Sequence, residues 1–230
     1  MSLALALLAM LLYLGARETP VFAVRAIDVQ GVRPPMARRV EAALRPLEGK
    51  SLLKVRGDQV ARLATALPSI ASVTYDRAFP NTLRVRVEAE QPVAVVRRGI
   101  EAWLVSRRGR LIKRIAQETH RALPRIWLRQ SVAMSIGGTL APGGGADEVA
   151  MLDALHGARL ASRVGTVHDA SGQWIYVLRG GLEVRVGTRS QVALKLAIAR
   201  RILDQTSALT YLDVSAPDRP VVGQEPQLSG

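Results

Sequence analysis

The chain has 230 residues, 48% of them hydrophobic and 22% charged, enough apolar residues for one large or two small cored domains beside a targeting segment. It has no cysteine, which excludes disulfide frameworks, thiolate metal sites and thiol nucleophiles. The net charge of +13 is confined to residues 1–130, where 23 Lys and Arg face 10 Asp and Glu, whereas 9 of each follow in residues 131–230. The two parts are therefore expected to face different surroundings. Of the 32 basic residues 28 are Arg, a bias that a GC-rich genome or a selected basic surface would each produce.

Leu3 to Leu14 is unbroken apolar sequence, closed by Arg17 and Glu18. A full membrane span takes about 20 residues, and a signal-peptide apolar core is shorter. The run is apolar on every face, which fits a buried globular helix badly. Two readings stand: a signal anchor over residues 1–19, favoured here, or a weak cleavable signal ending near Leu14-Gly15-Ala16. Both put the remaining chain outside the cytoplasm.

Residues 22–90 read as a small mixed unit. Phe22–Val29 alternates with a phase shift at Ala26-Ile27, as an irregular strand does, and Gly31 breaks it. Pro34 and Pro35 open a helix with Met36, Val40, Ala43, Leu44 and Leu47 on one stripe, stopped by Gly49. Asp58 is expected to cap a second helix carrying Val60, Leu63, Ala64 and Leu67. After Pro68 come a strand (SVTYDRAF), a Pro80-Asn81 turn and a strand with Leu83, Val85 and Val87 inward. The order is β-α-α-β-β.

Leu67, Pro68, Val73, Arg77, Pro80, Leu83, Val85, Val87, Glu88, Pro92, Val93 and Ala94 form a run of Leu-Pro, strand, Arg, Pro turn, alternating strand, Glu and Pro-Val-Ala. This run resembles the end of the POTRA domain in the FtsQ/DivIB family of bacterial cell-division proteins, and Val24, Ile27, Val29 and Gly31 fit that domain's first strand. The resemblance implies an α+β protein: an N-terminal membrane helix, a POTRA domain over 22–90, a β-rich domain over 91–223 with helices packed on an antiparallel sheet, and a tail over 224–230.

In that second unit PVAVVRR and EAWLVSRRGRLIKRI read as strands, the latter turning at Arg108-Gly109. Trp103, Val105 and Gly109 echo a hairpin of the family, and Leu123–Leu128 resembles its Leu-Pro strand. Gly143, Gly144 and Gly145 form a loop, with Asp147 expected to cap a helix carrying Val149, Leu152 and Leu155. WIYVL and LEVRV flank a glycine turn at Arg179-Gly180-Gly181, and Ser190 is expected to cap an apolar helix with Val192, Leu196, Ala199, Ile202 and Leu203. TYLDV and RPVVG close the chain as strands. A POTRA protein of outer-membrane assembly would instead need at least about eight barrel strands of 9–11 residues after residue 92, which this sequence does not offer.

Several patterns that carry chemistry elsewhere weigh little here. Ser51 and Lys54 fit the S-x-x-K of penicillin-recognising enzymes, without S-D-N or K-T-G and with Ser51 just after a helix stop. Glu88 and Glu90 stand two apart on a strand, usually a solvated edge. His156 and His168, beside Asp153 and Asp169, do not make three or four convergent metal ligands. The chain reads as non-enzymatic, with no catalytic residue, metal or cofactor. Arg97, Arg98, Arg107, Arg108, Arg110, Lys113 and Arg114, opposed by Glu101 alone, are either a solvated strand face or a surface for anionic head groups or wall polymers; with Trp103 as the patch's one stacking candidate and the chain read as exported, nucleic acid is not expected to bind.

The resemblance implies a scaffold at the septum, bound to FtsB- and FtsL-type single-span division proteins and through them to the septal synthase complex, and anchored in the plasma membrane. The implied contact is strand addition at the terminal edge, with Tyr211, Leu212, Asp213, Val214, Pro220, Val221 and Val222 as the partner-binding segment and the POTRA face as a second surface. The alternative is a POTRA-type accessory of protein transport or outer-membrane assembly that chaperones extended polypeptides.

Overall fold

The computed structural model describes residues 20–206 and 209–223. The expected anchor at 1–19 and tail at 224–230 lie outside the described residues. Among the described residues no helix is long and apolar enough to cross a membrane. Two compact units divide between Glu90 and Gln91.

The first unit has the β-α-α-β-β order: β1 (Ala26–Gln30), α1 (Pro34–Leu44), α2 (Gly57–Thr65), β2 (Ile70–Ala78) and β3 (Thr82–Ala89). β3 is central, parallel to β1 and antiparallel to β2. The alternation of β3 sends Leu83, Val85 and Val87 into the core, where they meet Val40 and Leu44 of α1 and Val60 and Ala64 of α2. Burying each such valine or leucine side chain is worth about 1.5–3 kcal/mol before the entropy of ordering it. Pro34 and Pro35 sit in the first turn of α1, where a missing N–H costs nothing. The first strand is shorter than its hydrophobic pattern: residues 20–22 form a 3-10 turn, and Ala23 makes only a single bridge, to Ser51. Glu90 falls beyond β3, so Glu88 and Glu90 do not share a strand; Glu88 accepts a hydrogen bond from the Ser72 hydroxyl at 2.8 Å.

The second unit contains β4 (Pro92–Arg98), β5 (Glu101–Ser106), β6 (Leu111–Ile115), β7 (Arg125–Trp127), α3 (Ala146–Ala158), β8 (Val164–Ala170), β9 (Gln173–Leu178), β10 (Glu183–Gly187), α4 (Val192–Gln205), β11 (Tyr211–Asp213) and β12 (Val221–Gly223). They form one sheet in the order β12-β11-β10-β9-β8-β7-β4-β5-β6. This sheet is mixed, not antiparallel as expected: β4–β7, β7–β8 and β10–β11 run parallel. The cause is connectivity, since parallel neighbours need a long crossover. The β5–β6 hairpin intervenes between β4 and β7, α3 between β7 and β8, and α4 between β10 and β11. β8 itself has no counterpart among the expected strands.

The main core gathers Leu152 and Leu155 of α3, Leu196 and Ala199 of α4, and Val167, Tyr176, Val184 and Leu212 from successive strands. The Tyr176 hydroxyl is satisfied there by donating to the Met151 carbonyl at 2.7 Å, and burial pushes its pKa above the ordinary 10. β4 is buried on both faces, which is why Pro92–Val96 has no polar alternation: Ala94 and Val96 enter the main core, and Val95 meets Ala102, Leu104 and Ile112 on the other side.

All three expected N-caps are corrected. α2 begins one residue before Asp58, α3 one before Asp147, and α4 two after Ser190, and the residues at the three N-cap positions (Arg56, Gly145 and Gln191) make no side-chain cap bond. Asp58 instead accepts from Arg56 (3.0 Å) and Arg62 (2.8 Å). Asp147 reaches back to the Gly143 amide at 2.7 Å and pairs with Arg189 at 2.7 Å. Those two partners, the amide first, hold the Asp147 carboxyl below its ordinary 3.8. A lowered folded-state pKa adds stability that is complete above the unfolded value and is lost as the pH falls through the folded one. Asp147→Asn should therefore lower the denaturation midpoint of the second unit at neutral pH, and the gap should close as the pH falls below 3.8 and through the lowered folded-state value. A constant gap across the acid range would show that the carboxylate charge contributes nothing.

Candidate functional site

A sheet of nine strands has two edges, and they are finished differently. The β6 edge is covered at its start: Leu111 donates to the Gly138 carbonyl and accepts from the Gly137 amide, both at 2.8 Å, and Arg110 bridges to Thr139. Among the described residues β12 pairs on one side only, antiparallel to β11, with Tyr211 opposite Gly223, Leu212 opposite Val222 and Asp213 opposite Val221. In such a pair alternate N–H and C=O groups of the outer strand point away from the sheet. Val221 and Val222 are 52% and 43% exposed there.

The register assigns faces. Val222 continues the row Tyr176–Val184–Leu212 on the core side of the sheet, and Val221 continues the row Ile175–Arg185–Asp213 on the opposite side. A third row brings Glu183, Tyr211 and Gly223 together, and the Tyr211 ring lies where a Cβ at position 223 would be. A side chain at 223 would thus displace the ring that covers the strand. The Arg185 guanidinium stacks over that ring at 5.2 Å and pairs with Glu183 at 3.1 Å. Asp213 accepts from the Ser215 amide at 2.8 Å, starting the turn that leads to Pro220.

Of the seven sequence-derived site residues, Pro220, Val221 and Val222 are exposed, Tyr211 and Asp213 are half-buried, and Leu212 and Val214 are buried in the core. The last two position the edge and face away from solvent. Sequence reasoning did not single out Gly223 and Arg185; the alternation of LEVRV against TYLDV was the signal that pairs Arg185 with the tyrosine strand.

The remaining motifs come apart in space. Ser51 is an isolated bridge residue and Lys54 lies in a turn, so no helix places them on one face. His156 sits 3.9 Å from Asp153, His168 is exposed on β8, and no group of three metal-ligating side chains occurs among the described residues. The arginine run is not opposed by Glu101 alone, because α3 brings Asp153 to within 2.6 Å of Arg107. Arg98 and Arg114 share Glu101, Arg97 donates to Gln117, and Arg110 donates to the Gly137 carbonyl.

A three-stranded βααββ unit is followed by a mixed sheet whose terminal strand has no second partner strand and which carries no assembled catalytic constellation among the described residues. The family model described as the FtsQ-type POTRA domain matches residues 22–88, and that of the C-terminal region of cell division protein FtsQ/DivIB matches residues 94–215. The chain belongs to the FtsQ/DivIB family, whose members are non-enzymatic scaffolds of cell division. β12 lies beyond the matched segment. No curated protein matches the chain.

Proposed function

We propose that the protein is an extracytoplasmic scaffold of the division machinery, held in the plasma membrane by residues 1–19. It recruits FtsB- and FtsL-type partners, and the septal synthase complex behind them, by strand addition at β12. The observation that carries this reading is the edge that no described strand covers, with Val221 and Val222 exposed on it while β6 is capped by the Gly137–Leu140 segment. Backbone pairing would supply affinity, and the two valines, on opposite faces, would select the partner's side chains. Leu212 and Val214 hold the edge in place from within the core.

The test is capture of synthetic peptides from the same organism's FtsB-like and FtsL-like proteins by the full chain. Val221 is the first residue of β12, where proline is tolerated by a strand, so Val221→Pro should fold. Val221→Pro and Val221→Lys should each weaken saturable binding by about tenfold or more, near 1.4 kcal/mol, at an unchanged melting temperature. Unchanged capture by both variants would overturn the site, and no capture by the folded parent chain would overturn the recruitment reading.

A further inference from the structure

The second unit contains a cleft of about 580 Å³ unconnected with the edge pairing of β12, formed by the end of β7, the glycine loop before α3, the β8–β9 hairpin and Arg189. Its volume lies within the range of small-molecule sites, about 300–1,000 Å³. Four chain segments far apart in sequence converge on it.

We infer that this cleft binds a sugar ring of a glycan, stacked on the Trp127 indole. Trp127 is 62% exposed, an unusual position for the largest apolar side chain, and its neighbours in β7 leave it there because Ile126 takes the core position. An open indole face suits a pyranose, which has one apolar face of C–H groups and a rim of hydroxyls.

The polar groups fit that rim. Carboxylates of Asp147, Glu148 and Asp169 and the guanidinium of Arg129 line the same cleft, offering acceptors and a donor to neutral hydroxyls. Two of the carboxylates are held in place beforehand. Asp147 is fixed by the Gly143 amide and Arg189, Arg189 stacks on the buried Trp174 ring at 4.9 Å, and Asp169 accepts from the Gly172 amide at 2.7 Å. Three carboxylates disfavour a phosphate, and the two guanidiniums disfavour an amine-rich peptide. A neutral ligand with donors and acceptors around one apolar face meets neither repulsion.

The experiment uses the full chain in a sugar-free zwitterionic detergent, titrated with chitotetraose, cellotetraose and tetralysine and followed by saturation-transfer NMR. Saturable binding of either tetrasaccharide, weakened about tenfold or more by Trp127→Ala and less by Trp127→Phe, is the expected result. Because Trp127 is exposed, both variants should keep the parent's circular dichroism and melting temperature. No binding of either sugar, or binding unaffected by Trp127→Ala, overturns the inference. Tetralysine binding that is lost in Glu148→Gln, without sugar binding, would assign the cleft to cationic peptides instead.

Discussion

Gly31→Ala should unfold the first unit and leave the second folded. Gly31 follows β1 with φ +90°, in the left-handed region where a Cβ is strained, and an added Cβ would run into the Val87 carbonyl oxygen. Val87 belongs to the central strand β3 and is paired with Val73 of β2, so the obstacle is backbone held in the sheet. Strain of this kind costs about 1–3 kcal/mol, and displacing a paired strand adds to it. A unit of about 70 residues has roughly 4–10 kcal/mol in total. The readout separates the units, because Trp103, Trp127 and Trp174 all lie in the second. The variant should lose far-UV ellipticity while its tryptophan unfolding curve stays where the parent's is. A parent-like first transition would show that the turn relaxes around the methyl group.

Lys195→Met should destabilise the second unit by about 2 kcal/mol. Lys195 is 4% exposed on α4, and its ammonium donates to the carbonyls of Val186 (2.9 Å) and Thr188 (3.1 Å). These carbonyls lie where β10 shifts register between Arg185 and Gly187 and leaves the ladder. Two effects oppose. Removing a buried cation recovers its desolvation cost, which has made some buried charges dispensable. Removing it also strands acceptors that β9 cannot serve, and hydrogen bonds to a charged donor are worth about 1.5–3 kcal/mol each. Methionine keeps the length of the stem, so little cavity cost enters, and the loss of two charged bonds outweighs the recovered hydration. Denaturant unfolding followed by tryptophan fluorescence measures the difference. A variant as stable as the parent would mean that the ammonium breaks even with its own burial.

The local pattern of the first unit was legible because its signals are local: the period of two in Thr82–Ala89, the period of three to four in α1, and proline at its first turn. The caps were not, since Asp58 and Asp147 have the right chemistry one residue inside their helices and spend it on Arg62, Arg189 and a loop amide. β8 escaped notice because only Val164 and Val167 face the core, a register shift separates them at Gly165, and His168 and Asp169 look like a polar loop. The parallel pairs follow from α3 and α4 lying between strands, a relation of order along the chain that alternation within each strand does not reveal. At the candidate edge, the strand character of Val221–Gly223 could be read, but its place at the end of the sheet depends on the order of nine strands. The cleft at Trp127 draws on four segments with no common motif.

The strand order also sets when the edge comes into being. From β8 to β12 each new strand is laid beside the one before it, outward from the middle of the sheet, so the growing chain completes its frontier with the last three residues described in a strand. A nascent chain that has not yet delivered Val221–Gly223 ends its sheet on β11, with the Tyr211 ring uncovered and a different row of backbone groups outermost. Among the described strands this boundary is thus laid down after the rest of the sheet, and a chain lacking Val221–Gly223 would keep most of its core while presenting a different surface.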